Sequence, residues 1–172
     1  MLKNSVAYEP QLGRRAFVVS SVAVAALTAA GCAVQRMIKP PKILFVCQAG
    51  TAKSAIAREI FKKRAKQRGI AVDVFSRGLV IEDHLSSALK ENLRSDQIDT
   101  NAEPALPLQP GDWTAADILV NFNPLPTSVQ HKDVRDWTDV PSVNDDYANA
   151  KRIMGKRIDE LLNELAKKAN KR

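Results

Sequence analysis

The sequence predicts an α/β fold, a doubly wound open parallel sheet of four strands with helices on both faces. Short apolar runs alternate along the chain with stretches of helical periodicity, which is the pattern of such sheets. The first run, residues 43–46, is wholly apolar, as in a strand that is covered on both faces. The length of 172 residues allows one domain of ordinary size.

The first half of the domain predicts a strand, a helix and a second strand, which together form a βαβ unit. The helix is indicated by apolar residues at helical spacing with charged residues opposite them, and Gly69 supplies its stop. Residues 70–78 are the second predicted strand. A second helix is predicted over residues 84–98, where leucines recur every four residues.

The second half predicts two further strands and a long closing helix. Residues 116–122 follow a proline-rich stretch and are predicted to form the third strand, and residues 132–137 the fourth. From Tyr147 onward, apolar residues advance by threes and fours, which predicts the last helix. Asn144 or Asp145 is expected to cap its first turn.

The chain is predicted to have three parts, a signal segment at residues 1–31, a linker at 32–41 and a domain at 42–172. The linker contains Pro40 and Pro41, which disfavour a helix and favour extended backbone. The predicted parallel sheet therefore begins directly after the linker, and it binds ligands where the carboxyl ends of its strands meet.

The predicted signal segment combines a basic start with a short apolar stretch. Residues 16–31 are uncharged and rich in Ala and Val, but they are too short and too weakly apolar for a permanent membrane span. Residues 13–18 resemble the twin-arginine export consensus, and residues 29–32 resemble a bacterial lipobox. These resemblances imply export, lipidation of Cys32 and anchoring on the periplasmic side of a bacterial membrane. Plain cleavage and an uncleaved anchor are the alternatives.

Composition limits the partners of the domain. The formal net charge is +7 and only 5% of the residues are aromatic. This charge suits an anionic ligand or a membrane surface, but basic runs with few aromatic residues do not favour stacking on bases, so no nucleic-acid partner is expected. His84 and His131 have no cysteine or carboxylate at ligand spacing. They are interpreted as surface residues, and no metal site is predicted.

The segment after the first strand carries the candidate chemistry. Cys47 ends the strand and begins a loop of small residues that leads into the first helix. Such a loop offers unpaired N–H groups and the positive end of the helix dipole, which bind an oxyanion and favour a thiolate. Lys53 would add a cation. The residues predicted to surround the bound oxyanion are Gln48, Ala49, Gly50, Thr51, Ala52 and Ser54, with the Ser54 hydroxyl close to the sulfur.

The stretch "ILFVCQAGTAKSAIAREIF", residues 43–61, resembles the opening of the low-molecular-weight protein tyrosine phosphatase and arsenate reductase family. The family signature is an apolar strand, a Cys, five residues, Arg-Ser and a helix. A looser similarity extends over residues 42–168. The resemblance implies hydrolysis of phosphate monoesters through a phosphocysteine at Cys47, with no metal or organic cofactor. The expected partner is a phosphorylated protein or a small phosphate ester.

Two departures from the family pattern bear on activity. Lys53 stands where the family has Arg, and a lysine lacks the two-pronged guanidinium that grips phosphate. The family uses an aspartate before its last helix as general acid, and Asp139 is the predicted equivalent. Asp145 is the second candidate, and an alternative alignment places Ser142 at this position.

Three other functions are considered beside hydrolysis. A catalytically inactive relative, tethered to the membrane, would bind phosphate or a phosphoprotein through the same loop. Arsenate reduction would need an external thiol, because no cysteine follows Cys47. A nucleotide-binding loop is disfavoured, since Cys47 and Ala52 stand where its two glycines belong.

Overall fold

The computed structural model describes residues 39–170. The predicted signal segment lies outside these residues, as does most of the predicted linker, including Cys32. All four predicted strands and all three predicted helices are present, together with a short helix that was not predicted. The elements are β1 (Lys42–Cys47), α1 (Lys53–Gln67), β2 (Asp73–Gly78), α2 (Ser87–Ser95), α3 (Pro110–Ala115), β3 (Ile118–Asn121), β4 (Val134–Asp136) and α4 (Tyr147–Asn170).

The strands form one parallel sheet in the order β2-β1-β3-β4, which confirms the predicted fold class. Strand β1 lies in the centre, where Cys47 is in register with Gly78 of β2 and Val46 with Asn121 of β3. Because all strands run in the same direction, their carboxyl ends meet at one edge of the sheet. Cys47 lies at that edge, in the middle of the sheet.

Helices cover both faces of β1, which explains why it is apolar throughout. Ile43, Phe45 and Cys47 point into the larger core, which is filled by apolar side chains of α1, α2 and α4. Leu44 and Val46 point into a smaller core beside α3. This alternation places the Cys47 side chain on the face that carries α1, directly below the start of that helix.

Three local predictions differ from the structure. Helix α2 is shorter than residues 84–98, because the Ser86 hydroxyl accepts a hydrogen bond from the Leu89 N–H (3.1 Å) and starts the helix there. Helix α3 begins within the proline-rich stretch, at Pro110. The prediction that Asn144 or Asp145 caps α4 is wrong, since the Asp146 carboxylate accepts from the Asn149 N–H (3.2 Å).

No helix within residues 39–170 combines the length and the apolar character that crossing a bilayer demands.

Candidate active site

The loop between β1 and α1 curls around the sulfur of Cys47. The Gly50 N–H donates to Cys47 Sγ (3.3 Å), and Ser54 Oγ lies 3.0 Å from the same sulfur. Gly50 has a φ of +73°, a left-handed conformation that glycine adopts without strain. Cys47 is only 2% exposed, so its sulfur lies at the base of the loop rather than on the surface. The predicted contact of Ser54 with Cys47 is present.

The loop presents backbone donors that the rest of the described chain leaves free. Within residues 39–170, the N–H groups of Ala49, Thr51, Ala52 and Lys53 donate to no protein acceptor. Helix α1 also has no side-chain cap on its first turn. Free N–H groups at a helix start bind anions, because their dipoles add to that of the helix. The loop therefore has the donors that an oxyanion requires.

The segment after β2 braces the loop from one side. The N–H groups of Leu79 and Val80 donate to the carbonyls of Cys47 (3.0 Å) and Gln48 (2.9 Å). At Glu82 the contact runs both ways, since its N–H donates to the Ala49 carbonyl (3.2 Å) and its carbonyl accepts from Thr51 Oγ1 (2.7 Å). The loop carbonyls are thereby turned outward, which leaves the N–H groups for a ligand.

Lys53 is tied to the backbone of two other loops. Its Nζ donates to the carbonyls of Val140 (3.1 Å) and Phe122 (3.4 Å) and lies 5.8 Å from the centre of the Phe122 ring. Partial burial lowers the pKa of Lys53, while the charge of a Cys47 thiolate opposes that change. Carbonyl oxygens are weaker acceptors than phosphate oxygens, so the ammonium can exchange these bonds for a phosphate.

A cavity of about 230 Å³ opens above Cys47. Its floor is formed by Cys47, Gln48, Ala49, Ala52 and Lys53. Gly50, Thr51 and Ser54 are not part of its lining and support the loop from behind. The walls come from three other segments of the chain and consist of Glu82, His84, Asn123, Ser142, Val143 and Asn144.

Two asparagines hold these walls in place. Asn123 Oδ1 accepts from the Gln48 N–H (2.9 Å), which joins the segment after β3 to the Cys47 loop. Asn144 accepts from the Ser86 N–H (2.9 Å) and donates to the His84 carbonyl (2.7 Å), which joins the two segments that face each other across the cavity. Because Asn144 makes both of these bonds with its side chain, it is not the cap of α4.

The structure does not bring Asp139 to the cavity. Both of its carboxylate oxygens accept from Arg157 of α4, at 2.7 and 2.6 Å, and the side chain is 66% exposed. The Arg157 guanidinium also lowers the pKa of the Asp139 carboxyl. Neither Asp139 nor Asp145 lines the cavity, whereas Ser142 does. Asp139 is thus engaged elsewhere and is not positioned to protonate a leaving group.

Of the wall residues, only Ser142 was named as a site candidate from the sequence, because the walls are distant from Cys47 in the chain. His84 was interpreted as a surface residue. It is exposed, but one side of it faces the cavity. His131, in contrast, bonds through its ring nitrogens to the backbone of Ala116 and Asp133. Within the described part of the chain, no group of three His, Cys, Asp or Glu residues could hold a metal ion.

Comparisons with known proteins agree with the architecture and with the loop. The family model described as "Low molecular weight phosphotyrosine protein phosphatase" matches residues 42–133. This match includes the Cys47 loop, Glu82 and His84 but ends before Asp139. No curated protein gives a significant sequence match.

Solved structures share the fold at low sequence identity. YfkJ from Bacillus subtilis is 16% identical with a TM-score of 0.65, and the alignment covers 77% of this chain and 98% of that one. The low molecular weight protein tyrosine phosphatase SP-PTP from Streptococcus pyogenes is 18% identical with a TM-score of 0.59, over 73% and 93% of the two chains. An arsenate reductase in a phosphate-binding state is 17% identical with a TM-score of 0.58, over 73% and 98%.

Proposed function

Because the chain belongs to the low molecular weight phosphotyrosine protein phosphatase family, we propose that it hydrolyses phosphate monoesters through a phosphocysteine at Cys47. Members of this family are cysteine-dependent phosphatases or arsenate reductases. The observation that carries the proposal is the position of Cys47 at the floor of a cavity that is also lined by Ala49, Ala52 and Lys53, whose N–H groups donate to no acceptor within residues 39–170. This arrangement suits a nucleophile that attacks an anionic phosphoryl group.

In the first step, the Cys47 thiolate attacks phosphorus and the ester P–O bond breaks. The Gly50 N–H and the Ser54 hydroxyl both lie within hydrogen-bond distance of the sulfur and hold it in position. The other acceptors within reach of Ser54 Oγ, the carbonyls of Arg77 (3.3 Å) and Gly50 (3.5 Å), lie farther away than the sulfur. The free N–H groups and Lys53 then stabilise the equatorial oxygens in the transition state.

In the second step, water attacks the phosphocysteine, the S–P bond breaks and the thiolate is restored. The cavity of about 230 Å³ has room for a phosphate group and part of an aromatic ring. The proposed substrate is therefore a phosphotyrosine-type ester, carried by a phosphorylated protein or by a small molecule.

The test is hydrolysis of p-nitrophenyl phosphate by the full chain, purified in detergent, beside its Cys47→Ser variant. Ser keeps the size of the side chain but is a far weaker nucleophile, so turnover is expected only in the unaltered chain. Turnover by both proteins, or by neither, would refute the proposal. A Cys32→Ser variant is the matched control, because it also removes a thiol but not the proposed nucleophile.

A second candidate is an inactive relative that binds phosphate or a phosphoprotein. One observation favours it, namely that Lys53 is a point charge already engaged by two carbonyls. In this case the chain would bind vanadate or phosphate, measured by calorimetry, but release no p-nitrophenol. Loss of that binding in a Lys53→Met variant would assign the site to this loop.

We further propose that the domain is exported and held at the membrane by a lipid on Cys32. The support is the sequence of residues 13–32, with its arginine pair and lipobox-like end. The mass of the protein extracted from membranes should show loss of residues 1–31 and a diacyl group on the new N-terminus. An intact N-terminus would contradict the proposal.

A further inference from the structure

We propose that His84 is the general acid of the reaction, a role that rests on the phosphatase chemistry proposed above. The departing oxygen of an alkyl or aryl ester needs a proton, and a positioned donor contributes about 10²–10⁴-fold to the rate. Asp139 cannot supply this proton in the structure, since Arg157 binds both of its oxygens. Ser142 lines the cavity, but a hydroxyl is too weak an acid for this role near neutral pH.

Beside Cys47 and Lys53, the lining of the cavity contains two groups that titrate, Glu82 and His84. A carboxylate at Glu82 carries the same sign of charge as the phosphate dianion and would repel it. An imidazole changes its charge between about pH 5 and 8. A protonated imidazole at His84 would attract the phosphate dianion and could also donate a proton to the leaving oxygen. Both requirements therefore favour His84.

The backbone around His84 is fixed with respect to the opposite wall. Asn144 donates to the His84 carbonyl (2.7 Å) and accepts from the Ser86 N–H (2.9 Å). Asn144 lies two residues after Ser142, so this clamp sets the distance between His84 and the segment that carries Ser142. The neighbouring Asp83 is paired with Lys90 (3.3 Å) and does not line the cavity. The His84 backbone is thus held opposite the Ser142 wall, and the residue lines the cavity.

The proton balance of the two steps is complete with His84. As Cys47 Sγ bonds to phosphorus, the ester P–O bond breaks and its electron pair stays on the leaving oxygen, which takes the proton of the imidazolium. The neutral imidazole then accepts a proton from the attacking water as the new P–O bond forms and the S–P bond breaks. The imidazolium and the thiolate are both restored, and no further reactant is needed.

The experiment compares aryl phosphates whose leaving groups differ in basicity. For a His84→Gln variant, kcat/KM for phenyl phosphate should fall by about 10²–10⁴-fold, while kcat/KM for 2,4-dinitrophenyl phosphate should fall by less than about tenfold, because dinitrophenolate leaves without a proton. Asp83→Asn is the matched control, since it changes the adjacent exposed side chain, and it should leave the ratio of the two rates unchanged.

Each other outcome overturns the assignment. An unchanged ratio in His84→Gln would show that the imidazole gives no proton. The same loss in Glu82→Gln alone would transfer the role to the carboxyl group. A wild-type chain that cleaves only dinitrophenyl phosphate would show that no residue protonates the leaving group, although hydrolysis at Cys47 would stand. A wild-type chain that cleaves neither ester would refute the phosphatase proposal itself, and this assignment with it.

Discussion

Replacing Gly50 by alanine tests whether the shape of the loop between β1 and α1 depends on close packing against β2. A Cβ at Gly50 would lie 2.9 Å from Ile81 Cδ1 and 3.0 Å from Gly78 Cα. The Ile81 side chain can rotate away. Gly78 cannot, because its N–H donates to the Leu106 carbonyl (3.0 Å) and its carbonyl accepts from Leu108 (2.8 Å). The loop itself must therefore move.

The expected loss of stability has two parts. The left-handed backbone at Gly50 costs an alanine about 1–2 kcal/mol, of which less than about 1 kcal/mol is offset in the unfolded chain. Overpacking against Gly78 adds about 1–3 kcal/mol. Gly69 is a control for the backbone cost alone, since its φ is +65° and a Cβ there would meet nothing within 4 Å. We expect a loss of about 2–4 kcal/mol for Gly50→Ala and of about 1 kcal/mol for Gly69→Ala.

Urea unfolding of the two variants and of the unaltered chain gives the loss of unfolding free energy in each variant. Calorimetry with inorganic phosphate adds the functional readout, in which Gly50→Ala should bind more weakly and Gly69→Ala should bind as the unaltered chain does. Equal losses of stability in the two variants would refute the argument that Gly78 constrains the loop. Unchanged phosphate affinity in Gly50→Ala would refute the argument that the curl of the loop forms the anion site.

Three further changes have defined outcomes. Lys53→Arg should raise kcat/KM for p-nitrophenyl phosphate by about tenfold, because the guanidinium adds a charge-assisted hydrogen bond, and an unchanged value would place position 53 outside the phosphate site. Asn144→Ala should lower the free energy of unfolding by about 1–2 kcal/mol, because it removes the clamp between the walls, whereas Ser142→Ala should change it by less than about 0.5 kcal/mol. The Arg135 guanidinium lowers the pKa of Glu164, so this pair stabilises the fold above about pH 4.5 and is lost as the pH falls through the lowered pKa. Glu164→Gln should therefore flatten the acid-induced loss of stability by up to about 1 kcal/mol in urea unfolding at pH 3 and pH 6.

The fold could be predicted because its signals are local. The run of residues 43–46 is apolar on both faces, and the structure covers both faces with helices. Gly69 follows α1 with a φ of +65°, as a helix stop requires. The cap of α4 was assigned wrongly because Asn144, Asp145 and Asp146 are equally suitable by residue type. Only the packing of Asn144 against the His84 segment decides among them.

The candidate site shows the same difference between local signals and contacts that depend on the fold. The Cys47 loop is contiguous in sequence, so its strand, glycine, cation and helix start could be predicted together. The walls come from segments 35 to 97 positions after Cys47, and apart from Ser142, which an alternative alignment suggested, no pattern in the sequence identified them. The prediction chose Asp139 because the family has an aspartate before its last helix, but the carboxylate of Asp139 is bound by Arg157 of α4 and does not line the cavity. Whether an aspartate in this segment can act at the cavity depends on which charged side chain lies beside it in the fold.

Lys53 changes what the rest of the site must provide. An arginine would fix the orientation of a phosphate through its own planar fork, whereas an ammonium attracts the anion without directing it. Orientation must then come from the free N–H groups of the loop, and these are directional only if the loop and walls are rigid. Asn123 ties the Gln48 N–H to the end of β3, and Asn144 ties the two walls together. We therefore expect the orientation of a bound phosphate to depend on the half-buried side chains of Asn123 and Asn144 and on the backbone that they hold, with Lys53 supplying the positive charge.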